Sequence, residues 1–183
     1  MLKKLSILTI LAMSGASFAA DAGNGVAVIN TDKIKTDTKA GQSIAQQLTD
    51  LQTAFKDKIT KLTQEFDNQK QELDKQKSVL SKEAFAKKEA EFNAKLADSR
   101  KELQKEAAKL EQMQQTALAE FNAVARSVID EMVKEGKYLH VLPQEVVIHA
   151  DPKTDITSQV IAGIDKKTDN IKLKEPAKDS AAK

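Results

Sequence analysis

Residues 42–135 read QSIAQQLTDLQTAFKDKITKLTQEFDNQKQELDKQKSVLSKEAFAKKEAEFNAKLADSRKELQKEAAKLEQMQQTALAEFNAVARSVIDEMVKE, a run of 94 residues between Gly41 and Gly136 with neither glycine nor proline. A compact α/β enzyme reverses its chain through tight turns that draw on those two residues, so this stretch cannot be folded that way. It is dense in Ala, Leu, Lys, Glu and Gln, which lose little on entering a helix, while aromatics make up only 4% of the chain and charged residues 31%. Helices of globular domains usually run roughly 8 to 20 residues, so the stretch is either a coiled coil or a long helical hairpin. A single large core is excluded.

The apolar positions refine that choice. From Gln42 onward they are Ile44, Leu48, Leu51, Phe55, Ile59, Leu62, Phe66 and Leu73, a pattern that repeats every eleven residues (44, 55, 66; 51, 62, 73). An eleven-residue period gives a nearly straight or slightly right-handed stripe, and one stripe needs one partner. The pattern thins over Leu73, Leu80, Phe85, Phe92 and Leu96, then recovers through Leu103, Leu110, Ala117 and Val124, joined by Met113, Phe121, Val128 and Met132. Direction reverses best at Ser78-Val79-Leu80-Ser81, where Ser81 can cap a new helix whose first turn carries Glu83. The prediction is an antiparallel coiled-coil hairpin over 42–135 with its tip near 78–82. At about 1.5 Å per residue its arms of roughly 40 and 50 residues project some 60 Å or more.

The flanks differ in character. Val26-Ala27-Val28-Ile29 is a β-branched run that predicts a strand ending at Asn30. Beyond Gly136, residues 138–142 and 145–149 predict two strands joined at Pro143-Gln144, with Leu139, Val141, Val146 and Ile148 on one apolar face. Asp155 then caps a short helix carrying Ile156, Val160, Ile161 and Ile164. Residues 166–183 hold six lysines and three acids, are interrupted by proline, and read as a disordered tail. The class is therefore α+β, with a small β body from 20–41 and 136–165 and the hairpin of 42–135 attached. Three short strands and one short helix form no self-sufficient core, which predicts an obligate oligomer whose strands meet between chains. The residues assigned to that contact are Val26, Val28, Ile29, Leu139, Val141, Val146 and Ile148.

The first residues serve another purpose. Lys3 and Lys4 precede the apolar run 5–13 and then small residues, the pattern of a secretory signal peptide over 1–19. Cleavage after Ala19 puts Ser17 and Ala19 at the two small-residue positions, and the apolar run is far short of the roughly 20 residues a membrane span needs. Losing two lysines takes the formal charge from +2 to 0, and a neutral mature chain argues against nucleic acid as a partner. With zero cysteines there is neither a disulfide framework nor a thiolate metal site. His140 and His149 have no carboxylate at metal-ligand spacing and no Gly-rich phosphate loop exists, so neither enzyme activity, metal nor cofactor is expected.

The carboxylates are better explained by helix pairing at i, i+4, as in Asp57/Lys61, Glu83/Lys87, Glu91/Lys95 and Asp130/Lys134. Their distribution is uneven. Residues 70–105 hold ten Lys/Arg and seven Asp/Glu, whereas 42–69 and 106–135 together hold six and ten. The tip is mildly basic and the base acidic: the plainer reading is a solvated helical surface, the sharper one a tip that attracts anionic lipid headgroups or acidic clients.

The order of elements, from signal peptide through strand Ala27-Val28-Ile29-Asn30, hairpin and closing strands to Asp155-Ile156-Thr157 at the last helix, resembles the Skp/OmpH family of periplasmic chaperones. The resemblance spans Gly25 to about Asp165 and is strongest over 139–160. It implies a jellyfish-like homotrimer in which strands of three chains form the body and three helical arms surround a cavity. Unfolded outer-membrane β-barrel proteins are held there without ATP, protected from aggregation until membrane insertion. On that reading Leu73, Leu80, Phe85, Phe92 and Leu96 contact the client or let the arms flex, where the plainer role is the seam between two helices. The best-known members of the family are clearly basic. This neutral chain therefore rests more on shape and weak apolar contact than on electrostatic capture of clients or lipopolysaccharide. The alternative is a structural coiled-coil spacer or adaptor in the cell envelope.

Overall fold

The structure is a computed structural model that describes residues 25–175; the expected signal peptide and the end of the expected tail, 176–183, lie outside these residues. The chain is mostly helical with one small strand pair. Strand β1 (Val26–Ile29) is followed by helices α1 (Thr31–Asp37), α2 (Lys39–Gln76) and α3 (Lys82–Lys134), then strand β2 (His140–Pro143) and helix α4 (Thr157–Lys167).

Strands β1 and β2 pair in parallel, from Val26 opposite His140 to Ile29 opposite Pro143. Parallel neighbours need a long connection, supplied here by α1, α2 and α3 together. On the other edge of β1, Val28 bridges to Asp155, and the Ile156 amide donates to the Val28 carbonyl at 3.0 Å. The chain returns to β1 through a left-handed residue, Gly136 (φ +73°). There the Lys137 amide donates to the Met132 carbonyl and the Gly136 amide to that of Val133, the paired bonds that close a helix in a Schellman turn. The Leu139 and His140 amides then both donate to the carbonyl of Gly25.

Two expectations are corrected and one element is added. Residues 145–149 form no strand: Pro143 has no amide to donate, residues Gln144–Val146 wind into a 3-10 turn, and the Val147 amide bonds the Gln144 carbonyl instead. Helix α1 is an addition, capped by the Asn30 side chain accepting from the Lys33 amide at 2.8 Å and anchored by buried Ile34. The tail reading fails for 168–175, because Ile171 is 2% exposed within the core and Leu173 packs against that core.

The hinge between α1 and α2 is tightly built. Thr38 is fully buried, donates its hydroxyl to the Ile34 carbonyl at 2.9 Å, and accepts from the Gly41 amide at 3.2 Å as the cap of α2. A Cβ on Gly41 would lie 1.8 Å from the Lys35 carbonyl oxygen, so only glycine lets the two helices meet at this angle. Asp165 of α4 accepts from the Lys39 amide at 2.9 Å, placing a carboxylate on the first turn of α2. The core lies at this end of the molecule. It gathers Ala27 and Ile29 of β1, Ile34 of α1, Ile44 of α2, Phe121 and Val128 of α3, and Val160 and Ile164 of α4.

Helices α2 and α3 run in opposite directions from a turn at 77–81. Ser81 caps α3 by accepting from the Ala84 amide at 3.2 Å, and Glu83 sits in the first turn. Lys58 reaches Glu106 at 2.5 Å, and Phe66 meets Phe92 edge-on with ring centroids 5.9 Å apart at 76°. No helix among the described residues is long and apolar enough to cross a membrane.

Candidate functional site

Burial divides the helix pair into two regimes. Next to the body, α2 buries Ala40 and Ile44, and α3 buries Met113, Ala117, Phe121 and Val128. Between these, no residue in 45–112 is fully buried. The apolar stripe of α2 and that of α3 face one another over this distance, but two helices alone cover only one side of each. Ile59 is 38% exposed, and Leu62, Phe66, Leu73, Phe92 and Leu96 are half-buried.

The stripes enclose a cleft of about 590 Å³ lined by Ile59, Leu62, Phe66, Leu73, Phe85, Phe92, Leu96 and Leu103, with Asp67, Lys70, Asp74, Glu89 and Arg100 at its rim. Four residues assigned from sequence to client contact, Leu73, Phe85, Phe92 and Leu96, therefore line one cleft. Leu80 lies apart from that lining, half-buried at the turn. The client assignment left out Ile59, Leu62, Phe66 and Leu103, which share this lining, although the eleven-residue stripe already placed three of them on the same face.

None of the four expected i, i+4 ion pairs is within contact distance. Local pairs form at other spacings, as in Lys75–Glu72, and others cross elements: Lys58–Glu106 ties α2 to α3 and Lys167–Glu131 ties α4 to α3 at 2.5 Å, while Lys88 donates to Gln76 beside the turn. The hydrogen bond to Glu106 and its charge raise the Lys58 ammonium above its ordinary value.

The seven residues assigned to oligomerisation separate into two groups. Val28 and Ile29 are buried within the chain itself, at 5% and 8%, and Val141 is half-buried against the core. Leu139, Val146 and Ile148 stand out at 76%, 68% and 106% exposed, and Val26 and Leu142 are 37% and 39% exposed. The loop that presents Val146 is pinned by Glu145, whose carboxylate accepts from the Thr31 hydroxyl at 2.9 Å. Its own backbone amide and then that hydroxyl hold Glu145 below the ordinary carboxylate range.

At the opposite edge of β1 the Asp155-Ile156-Thr157 turn is a small relay. The Asn30 amide donates to the Thr157 hydroxyl at 2.9 Å, and the Thr157 amide donates to the Asp155 carboxylate at 2.8 Å. The Thr157 hydroxyl first, then its amide, hold Asp155 below its ordinary value, with Lys33 adding to the effect. This is structural chemistry. Among the described residues no three His, Cys, Asp or Glu side chains gather as a metal site.

A small body thus holds two long helices by one end, with an apolar cleft between them and exposed apolar side chains on the body. The chain belongs to the OmpH-like outer membrane protein family, whose model matches residues 25–164. Its fold is similar to the crystal structure of a candidate outer membrane chaperone (OmpH-like) from Caulobacter crescentus CB15, with a TM-score of 0.77 at 21% identity, covering 85% of this chain and 92% of that one. No curated protein matches it.

Proposed function

We propose that the protein is an ATP-independent holdase of the bacterial periplasm that binds unfolded outer-membrane β-barrel proteins between helical arms and delays their aggregation until membrane insertion. The observation that carries this reading is the stretch 45–112, in which apolar side chains are aligned but none is fully buried. Such a surface offers many weak contacts and no patch extensive enough to drive self-association. Unfolded barrel strands alternate apolar and polar residues and carry open edges, so weak contact on many sites slows their association. Release follows when the folded barrel, a deeper minimum, becomes accessible.

The homotrimer is part of the same reading. Leu139, Val146 and Ile148 are too exposed to stabilise an isolated chain, and a second and third copy covering them would bring three helix pairs together around a cavity. Export by a signal peptide over 1–19 and its cleavage near Ala19 place the chain in the periplasm.

The test is light scattering of an outer-membrane barrel protein diluted from urea, with and without this protein. Suppression at one trimer per client supports the holdase. Unchanged aggregation, together with stable pairing to a folded envelope protein, supports the coiled-coil spacer instead.

A further inference from the structure

Residues 168–175 leave α4 at Thr168 in an extended conformation and cross the body end of α2 and α3. Three features make this segment more than a trailing end. Its sequence, Thr-Asp-Asn-Ile-Lys-Leu-Lys-Glu, alternates at its centre between apolar and charged residues; Ile171 is buried and Leu173 half-buried, while Lys172 and Lys174 are exposed. Its backbone is read by one side chain of α2: Gln47 donates Nε2–H to the Ile171 carbonyl at 2.8 Å and accepts from the Leu173 amide at 3.1 Å. Its further ties are polar and peripheral and include Ser43 to Asn170 at 2.8 Å, Lys174 to Glu120 at 2.9 Å and Lys109 to Glu175 at 2.6 Å.

The Gln47 fork supplies one donor and one acceptor to an extended chain, as a neighbouring strand would, and is indifferent to which side chains that chain carries. The groove beneath selects only for apolar residues at alternate positions. This is the pattern of a transmembrane β-strand. The segment also lies beyond the family match, which ends at residue 164.

We propose that the groove between Gln47 of α2 and Glu120 of α3 is a docking site for an extended strand of an unfolded β-barrel protein, and that residues 168–175 occupy it in cis as a displaceable stand-in. The occupant's chemistry rests on the holdase reading above; the groove and its backbone fork do not. A client strand must displace the segment, so its apparent affinity is divided by the fraction of molecules in which the groove is open. Weakly held outer ties keep that exchange possible, since exposed ion pairs add little.

The test measures binding of a fluorescent eight-residue peptide of alternating valine and threonine to the full chain. In Ile171→Asp/Leu173→Asp the segment loses its anchors, and peptide affinity is expected to rise about tenfold. A Gln47→Ala change added to that variant should reverse most of the gain. Because the double Asp variant could disturb the core, a second form tests the same idea in the opposite sense: Ser43→Cys/Asn170→Cys, in a chain without other cysteines, oxidised to hold the segment down. Oxidation should abolish peptide binding and reduction should restore it. A peptide of the same composition with its valines in one block should bind none of these forms. Equal affinity in the oxidised and reduced forms, or no gain on release, overturns the proposal. Client aggregation followed on the same samples separates the two readings: failure to suppress it in every form overturns the holdase, while peptide affinity alone decides the groove.

Discussion

At the scale of single residues, two glycines illustrate different constraints. Gly41 is required by space: a Cβ would lie 1.8 Å from a backbone oxygen that cannot swing away. Gly41→Ala should therefore cost about 3 kcal/mol, the upper end of overpacking penalties, measured by chemical denaturation. Gly136 is required by conformation alone, since nothing lies within 4 Å of its Cβ position while its φ is +73°. Gly136→Ala should cost only about 1 kcal/mol, and Asn less, because it tolerates the left-handed region better. Asp155 carries a pH signature. Its carboxylate is held below the ordinary 3.8 by Thr157, so the charged form stabilises the fold at neutral pH, and this contribution is lost as pH falls through the folded value. Asp155→Asn should be less stable than the parent at pH 7, and the difference should close below about pH 4. A gap that persists unchanged at pH 2 would show that the carboxylate's charge is irrelevant.

Helices and strands show where the sequence was readable and where it was not. The long helices, their reversal at Ser81 and the apolar stripe follow from local rules: absent Gly and Pro, one capping serine, one repeated spacing. Most of the cleft was legible for the same reason. The strand expected at 145–149 was not, because alternation of Val146 and Ile148 is also produced by a loop that points both outward. Helix α1 escaped notice since a seven-residue segment with one buried apolar residue has no periodicity to detect. Residues 168–175 read as tail because two apolar residues among lysines reveal nothing of the groove that receives them. The division of the helix pair also predicts its dynamics. Phe121 is 1% exposed in the core and Phe92 is half-buried in the cleft. Phe121→Ala should cost about 3 to 5 kcal/mol and lower protection throughout, whereas Phe92→Ala should change amide exchange only near the turn, with little effect on the body. Hydrogen exchange resolved along the chain distinguishes the two.

For the whole molecule, the decisive question is what covers the exposed apolar side chains of the body. The chain has a core of its own around Phe121, richer than three strands and a short helix promised, because the near ends of α2 and α3 complete it. Yet that core leaves Leu139, Val146 and Ile148 exposed. The placement of Val28 and Ile29 inside the chain means that changing them would damage folding and assembly together, so they cannot test assembly. The exposed three can. Leu139→Asp/Val146→Asp/Ile148→Asp changes no buried side chain and should leave helical content and the Phe121 core intact; on the proposed homotrimer it should shift sedimentation at micromolar concentration from trimer to monomer. If the arms enclose a client only when three are brought together, the same variant should lose suppression of aggregation although its clefts are unaltered. A parent chain that already sediments as a folded monomer would remove the enclosing cavity from the mechanism, leaving each helix pair to act alone.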